Sequence, residues 1–173
     1  MGKELNKIDR LAIFDLDGTL IDTPMPAIGR KEYEEKTGKK WPHKGWWSIA
    51  QSLDFNMFEM PVIPETIAAY IKEKDAPNTL MVMMTGRLKK LSPEVEKLLE
   101  HYDLTFDTYL YNTGGETLKV KLNYLEGLIS KCPKIETIHM FEDRELHIAE
   151  FKVWGASKDI AFDITEIKSG RHD

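Results

Sequence analysis

Short apolar runs, each closed by acids, hydroxyls or glycine and separated from the next by a stretch of helical period, are what most constrain this chain. Leu11-Ala12-Ile13-Phe14 runs into Asp15, Asp17 and Gly18, and Thr79 to Met84 runs into Thr85, Gly86 and Arg87. Thr108 to Tyr111 and Glu136 to Phe141 are the third and fourth runs, with a weaker one near Ile160 to Ile164. Runs this short that lack polar alternation have the look of strands buried on both faces. Between them, Pro64 to Lys74 places Ile67, Ala68, Tyr70 and Ile71 on one helical face, and Ser92-Pro93-Glu94 opens a helix reaching His101 with Val95, Leu98 and Leu99 inward. Leu118, Leu122, Leu125 and Ile129 mark another helix, and a short one follows from Glu145 to Phe151. Strands that alternate with helices need crossover connections and a parallel sheet covered on both sides. The pattern predicts an α/β chain with a doubly wound, Rossmann-like parallel sheet of about five strands.

Residues 23–62 break this rhythm and concentrate Tyr33, Trp41, Trp46, Trp47, Phe55 and Phe58. They read as a small, mostly helical cap insertion inside one domain spanning 1–168, with 169–173 as a frayed tail. A length of 173 residues suits one domain, and 42% hydrophobic residues supply a core without disulfides. The single cysteine, Cys132, excludes both a disulfide scaffold and a cysteine zinc site, so a reducing cytoplasm fits best. With 24 basic against 29 acidic residues the chain does not coat nucleic acid through bulk charge. No apolar run approaches the roughly 20 residues that span a bilayer. The composition predicts a soluble protein without a membrane or an obligate protein partner.

Ligands of doubly wound sheets bind beyond the carboxyl ends of the strands. The residues there are Asp15 and Asp17 after the first strand, Thr85, Gly86 and Arg87 after the second, and Glu142 and Asp143 after the fourth. Lys119 and Lys121 both open the helix before the fourth strand, and the apolar period that follows favours Lys121. Several carboxylates meeting a lysine and a hydroxyl repel one another without a cation, and hard oxygen donors lacking His or Cys suit Mg²⁺. Taken alone, Asp-x-Asp-Gly is also an ordinary turn sequence, but a turn needs no further polar clusters at two other strand ends.

Phe14-Asp15-Leu16-Asp17-Gly18-Thr19-Leu20 resembles the first motif of the haloacid dehalogenase (HAD) superfamily. Met84-Thr85-Gly86-Arg87 resembles the second, Lys121 the third, and Glu142-Asp143 the acidic fourth, in the family's order. Phe141-Glu142-Asp143-Arg144-Glu145-Leu146-His147, the preceding Lys-x-x-Tyr-Leu helix and Trp46-Trp47 are similar to the HAD branch named for Swiss Army Knife RNA-repair proteins.

The resemblance implies a Mg²⁺-dependent phosphomonoester hydrolase working through an aspartyl phosphate, with a phosphorylated small molecule or a nucleic-acid 3′-phosphate end as substrate. Asp15 would be the nucleophile and Asp17 the general acid and base. The metal would be held by Asp15, Asp143 and the backbone carbonyl of Asp17, with Glu142 orienting its waters. Thr85, Gly86 and Lys121 would hold the phosphoryl oxygens. Arg144, read from the residues alone, is expected to pair with a local acid as a structural residue. Trp46 and Trp47 have two readings, packing between insertion and sheet or stacking on a base. From Arg30 to Trp47 six basic residues face three acidic ones, which suits a phosphorylated ligand and equally a solvated helix. A receiver domain is disfavoured, because Tyr111-Asn112-Thr113, not an acid, follows the third strand, and Asp17 argues against a dehalogenase. The remaining alternative is a non-catalytic nucleic-acid or phospholigand binding module on the same scaffold.

Overall fold

The computed structural model describes residues 2–169. Its centre is a five-stranded sheet built from β1 (Arg10–Phe14), β2 (Thr79–Leu88), β3 (Thr108–Asn112), β4 (Thr137–Glu142) and β5 (Ala161–Glu166), in the order β3-β2-β1-β4-β5. All four pairings are parallel. The first strand therefore lies in the middle, and the order reverses on either side of it. The carboxyl ends of β1, β2 and β4, which carry the acids and the hydroxyl, meet at that switch point.

Alternation along β1 shows how the layers form. Ala12 and Phe14 face one core, while Leu11 and Ile13 face the other. Tyr70 of α2 (Pro64–Asp75) and Val95 and Leu98 of α3 (Ser92–His101) close the first core. Leu125 and Leu128 of α4 (Thr117–Lys131) and Phe151 of α5 (Glu145–Ala156) close the second. The helix before α2, α1 (Pro26–Thr37), belongs to the insertion.

The insertion is less helical than its composition suggests. Beyond α1 it holds a short 3₁₀ turn, Ala50–Leu53, and otherwise runs as loop. Aromatic packing gives it order instead. The Trp46 ring lies 4.8 Å from Trp41 and 5.3 Å from Phe58, centroid to centroid. This knot is continuous with the Phe14 core, so the insertion shares its hydrophobic interior with the sheet. Its two ends run side by side: Ile21 bridges Val62, and the Ile63 amide donates to the Leu20 carbonyl.

Two strand boundaries differ from the sequence reading. β2 does not stop at Gly86, because a register irregularity after Met84 lets the strand continue until Leu88 pairs with Asn112. Gly86 is instead a close-approach position, since a Cβ there would lie 2.7 Å from Thr117 Cγ2. β4 likewise extends to Glu142, which is why that acid is fully buried. At the C-terminus Ser169 is buried and hydrogen-bonded to Asp22, so it is not frayed, and the rest of the expected tail lies outside the described residues.

Candidate active site

The switch point opens into a cavity of about 360 Å³ lined by Asp15, Asp17, Gly86, Arg87, Lys121 and Asp143, with Met25 and Trp47 contributed by the insertion. Thr117 and Arg144 complete its wall. Asp15 follows directly on the central strand, and its amide donates to the Phe141 carbonyl, which ties the first acid to the end of β4. The α4 helix begins at the cavity with Thr117, so its positive dipole end lies near the same space.

Lys121 is the hub. It is almost wholly buried, and its ammonium donates to Asp15 Oδ1 at 2.9 Å and to Glu142 Oε2 at 2.8 Å. Lys119 is exposed, so of the two candidates only Lys121 reaches the acids. Burial alone pushes the Lys121 ammonium toward the neutral form, but the charges of Asp15 and Glu142 outweigh it and hold its pKa above the usual lysine range. The same attraction keeps Glu142 below the ordinary carboxylate range despite its burial.

Asp15, Glu142 and Asp143 each present a carboxylate oxygen within 4.8 Å of the others. Burial pushes Asp15 up to about 6, reinforced by Glu142 and opposed by Lys121. Asp143 rises to about 9, again through burial first and then the charges of Asp15 and Glu142. One lysine does not neutralise three converging carboxylates. A hard divalent cation does, and an all-oxygen donor set without His or Cys fits Mg²⁺. Glu142 thus sits inside the acidic group and is salt-bridged to Lys121.

Asp17 is elsewhere. Its carboxylate is absent from the acidic group and accepts two hydrogen bonds from Arg87, from Nε to Oδ2 at 3.0 Å and from Nη2 to Oδ1 at 2.8 Å. Thr23 Oγ1 adds a third at 2.7 Å. Thr85 is buried at the turn of β2 toward the cavity and accepts the Arg87 amide with its hydroxyl. Gly86 and Arg87, not Thr85, line the cavity itself.

Sequence reasoning paired Trp46 and Trp47, and the structure separates them. Trp46 is buried in the aromatic knot, against Gly29, whereas Trp47 is half-buried, lines the cavity and lies under the Arg87 guanidinium at 4.9 Å. Trp46 therefore cannot stack on a ligand without dismantling the core. Arg144 is exposed on the cavity wall and makes no ion pair among the described residues, so the structural pairing expected of it is not there. Arg87 is the residue whose importance the sequence hid. Its one signal was its place directly after Thr85-Gly86, and a surface arginine would have looked the same.

A parallel sheet that gathers an Asp-x-Asp loop, a Thr-Gly-Arg segment, a helix-borne lysine and an acidic pair at one end of its strands defines a HAD-type domain. The chain belongs to HAD domain family 1 of Swiss Army Knife RNA repair proteins, whose pattern matches residues 36–168. It is similar in fold to a chain of the Pnkp1/Rnl/Hen1 RNA repair complex, with 16% identity and a TM-score of 0.60 over 94% of this chain. A β-phosphoglucomutase-like protein from Thermotoga maritima matches at 18% identity and a TM-score of 0.55, covering 91% of this chain and 94% of its own. The present chain spans only 44% of the length of the repair-complex chain. Among the described residues no helix is long and apolar enough to cross a membrane.

Proposed function

We propose that the protein is a Mg²⁺-dependent phosphomonoester hydrolase acting through an aspartyl phosphate, with nucleic-acid 3′-phosphate ends as the substrate class. The observation that carries this reading is the contact of Lys121 with both Asp15 and Glu142 inside a three-carboxylate group. A buried set of this kind costs folding energy, which makes a functional site the natural reading, and it leaves two acids, Asp15 and Glu142, ionised near neutrality beside the Lys121 cation.

Asp15, Glu142 and Asp143 would hold the cation, which when bound supplies charge neutralisation for the phosphoryl oxygens. An Asp15 carboxylate oxygen attacks phosphorus, the ester P–O bond breaks, and the departing alkoxide takes a proton from Asp17. Water then attacks the Asp15-bound phosphorus, gives its proton to the Asp17 carboxylate, and the bond from phosphorus to the Asp15 oxygen breaks to release phosphate. Lys121 balances the transferring group's charge, and the Gly86 amide and the first turn of α4 offer donors for its oxygens. The finer substrate class is supported by family membership and by Trp47 and Arg144 at the cavity wall, a flat ring and an exposed guanidinium beside the acids.

The test is hydrolysis of 3′-phosphorylated oligonucleotides, sugar phosphates and 4-nitrophenyl phosphate with Mg²⁺ and with chelator. Phosphate release that needs Mg²⁺ and vanishes in Asp15→Asn is expected. Retention of tight phospholigand binding without turnover on any ester would favour the binding-module alternative.

A further inference from the structure

Arg87 is the best-anchored charged side chain in the cavity. The guanidinium is nearly inaccessible, with a side-chain exposure of 2%. It holds Asp17 with Nε and Nη2, while Nη1 donates to the Trp47 carbonyl at 2.8 Å and to Ser52 Oγ at 2.7 Å. Four of a guanidinium's five N–H groups are therefore committed to protein acceptors. An arginine in that condition is poorly placed to embrace a phosphate, for which it would have to give up bonds in a buried setting.

The pattern of its partners is informative. Both Asp17 oxygens face the Arg87 fork, and the other acceptors, the Trp47 carbonyl and the Ser52 hydroxyl, belong to the insertion. Ser52 is itself fixed, since its hydroxyl donates to the Ile49 carbonyl at 2.6 Å. A second route joins the same two parts, because Thr23, the first residue of the insertion, donates to Asp17 Oδ1. The aim of the acid is thereby tied to the seating of residues 47–52, which also supply the Trp47 wall of the cavity.

We propose that Arg87 is a positioning residue that couples the insertion to proton transfer: Asp17 is aimed at the leaving-group oxygen only while the 47–52 segment is docked on the Arg87 guanidinium. The proposal rests on the phosphatase reading, and it makes the insertion part of the catalytic step as well as a wall for substrate. A planar fork is required for this, since a lysine offers a single point charge and cannot bind two oxygens of Asp17 and two acceptors of the insertion together.

The experiment compares wild type, Arg87→Lys and the remote variant Ser52→Ala on two esters, 4-nitrophenyl phosphate and glycerol 2-phosphate, with backbone hydrogen exchange of residues 47–53 read in parallel. Glycerol needs a proton as it leaves and nitrophenolate does not. Ser52→Ala is expected to keep kcat/KM for the nitrophenyl ester, which reports the attack of Asp15 and not the later hydrolysis common to both esters, within about twofold while kcat/KM for the glycerol ester falls about tenfold, the signature of impaired acid catalysis. Arg87→Lys should show the same asymmetry more strongly, and both variants should exchange faster over 47–53. Equal losses of kcat/KM on the two esters, or unchanged exchange in Arg87→Lys, would overturn the coupling while leaving the phosphatase reading intact. A wild-type protein that hydrolyses neither ester with Mg²⁺ would instead overturn that reading, and the proton-transfer coupling with it.

Discussion

Lys121 and Asp15, 106 residues apart in the chain, meet at 2.9 Å in a nearly solvent-free pair that also includes Glu142. Removing the lysine leaves two or three carboxylates converging without a cation. Breaking a buried pair from one side costs about 3–5 kcal/mol. Lys121→Met should therefore lower the thermal midpoint markedly in chelator, and Mg²⁺ should recover part of the loss by supplying the missing charge. A midpoint equal to wild type in chelator would show that the pair contributes nothing to the fold.

Asp15→Asn should fold and lose nearly all turnover, at least about a thousandfold, because an amide is neither a nucleophile nor a good Mg²⁺ ligand. Circular dichroism and the midpoint report the fold, and steady-state hydrolysis of 4-nitrophenyl phosphate reports the chemistry. Undiminished turnover in this variant would assign the nucleophile elsewhere.

The acidic group also makes a pH prediction with a definite sign. Asp15 and Asp143 have folded-state values of about 6 and about 9 against an ordinary 3.8, so the folded state binds their protons more tightly than the unfolded chain does. Their contribution is fully present below the ordinary value and is lost as pH rises through 6 and then 9. Glu142 shifts the other way, and its contribution is already complete above its ordinary range. In chelator the midpoint should fall between pH 5 and pH 9. With saturating Mg²⁺, which binds the deprotonated carboxylates, the fall should shrink or reverse. A midpoint that climbs with pH in chelator contradicts the raised values of Asp15 and Asp143.

Trp46 and Trp47 should separate cleanly under alanine substitution. Trp46 fills the aromatic core, so Trp46→Ala should cost about 3–5 kcal/mol and reduce activity on every substrate alike. Trp47→Ala keeps the carbonyl that Arg87 uses and removes only the ring. Base stacking on an aromatic is worth about 1–3 kcal/mol, so KM for a 3′-phosphorylated oligonucleotide should rise by about one to two orders of magnitude, with little change for the nitrophenyl ester. Equal KM changes for both substrates would take nucleic acid away from Trp47.

Gly29→Ala sets two effects against each other. Alanine favours the interior of α1 by about 1 kcal/mol over glycine. Its Cβ, however, would stand 2.0 Å from Trp46 Cη2, and that ring is hemmed in by Trp41 and Phe58. Overpacking costs about 1–3 kcal/mol, so net destabilisation is expected, measured as a lower midpoint. A stabilised variant would mean that the knot repacks freely.

Residue order alone carried the parallel sheet, its helices and the positions of Asp15, Asp17, Lys121, Glu142 and Asp143. Those follow from local rules: buried strands are short apolar runs, helices repeat every 3.6 residues, and α/β sheets put their ligands at strand ends. Tertiary structure alone decided what each polar group faces. Asp15 and Asp17 are two residues apart, yet one joins Lys121 and the acids while the other turns to Arg87 and the insertion. Trp46 and Trp47 are adjacent, yet one is core and the other cavity wall. Glycine 86 read as a strand end because the sequence cannot show that α4 passes 2.7 Å from where its Cβ would be. Periodicity is a property of neighbours along the chain, whereas charge pairing and close approach depend on distances between segments as remote as Lys121 and Asp15, 106 residues apart, which only the folded chain sets.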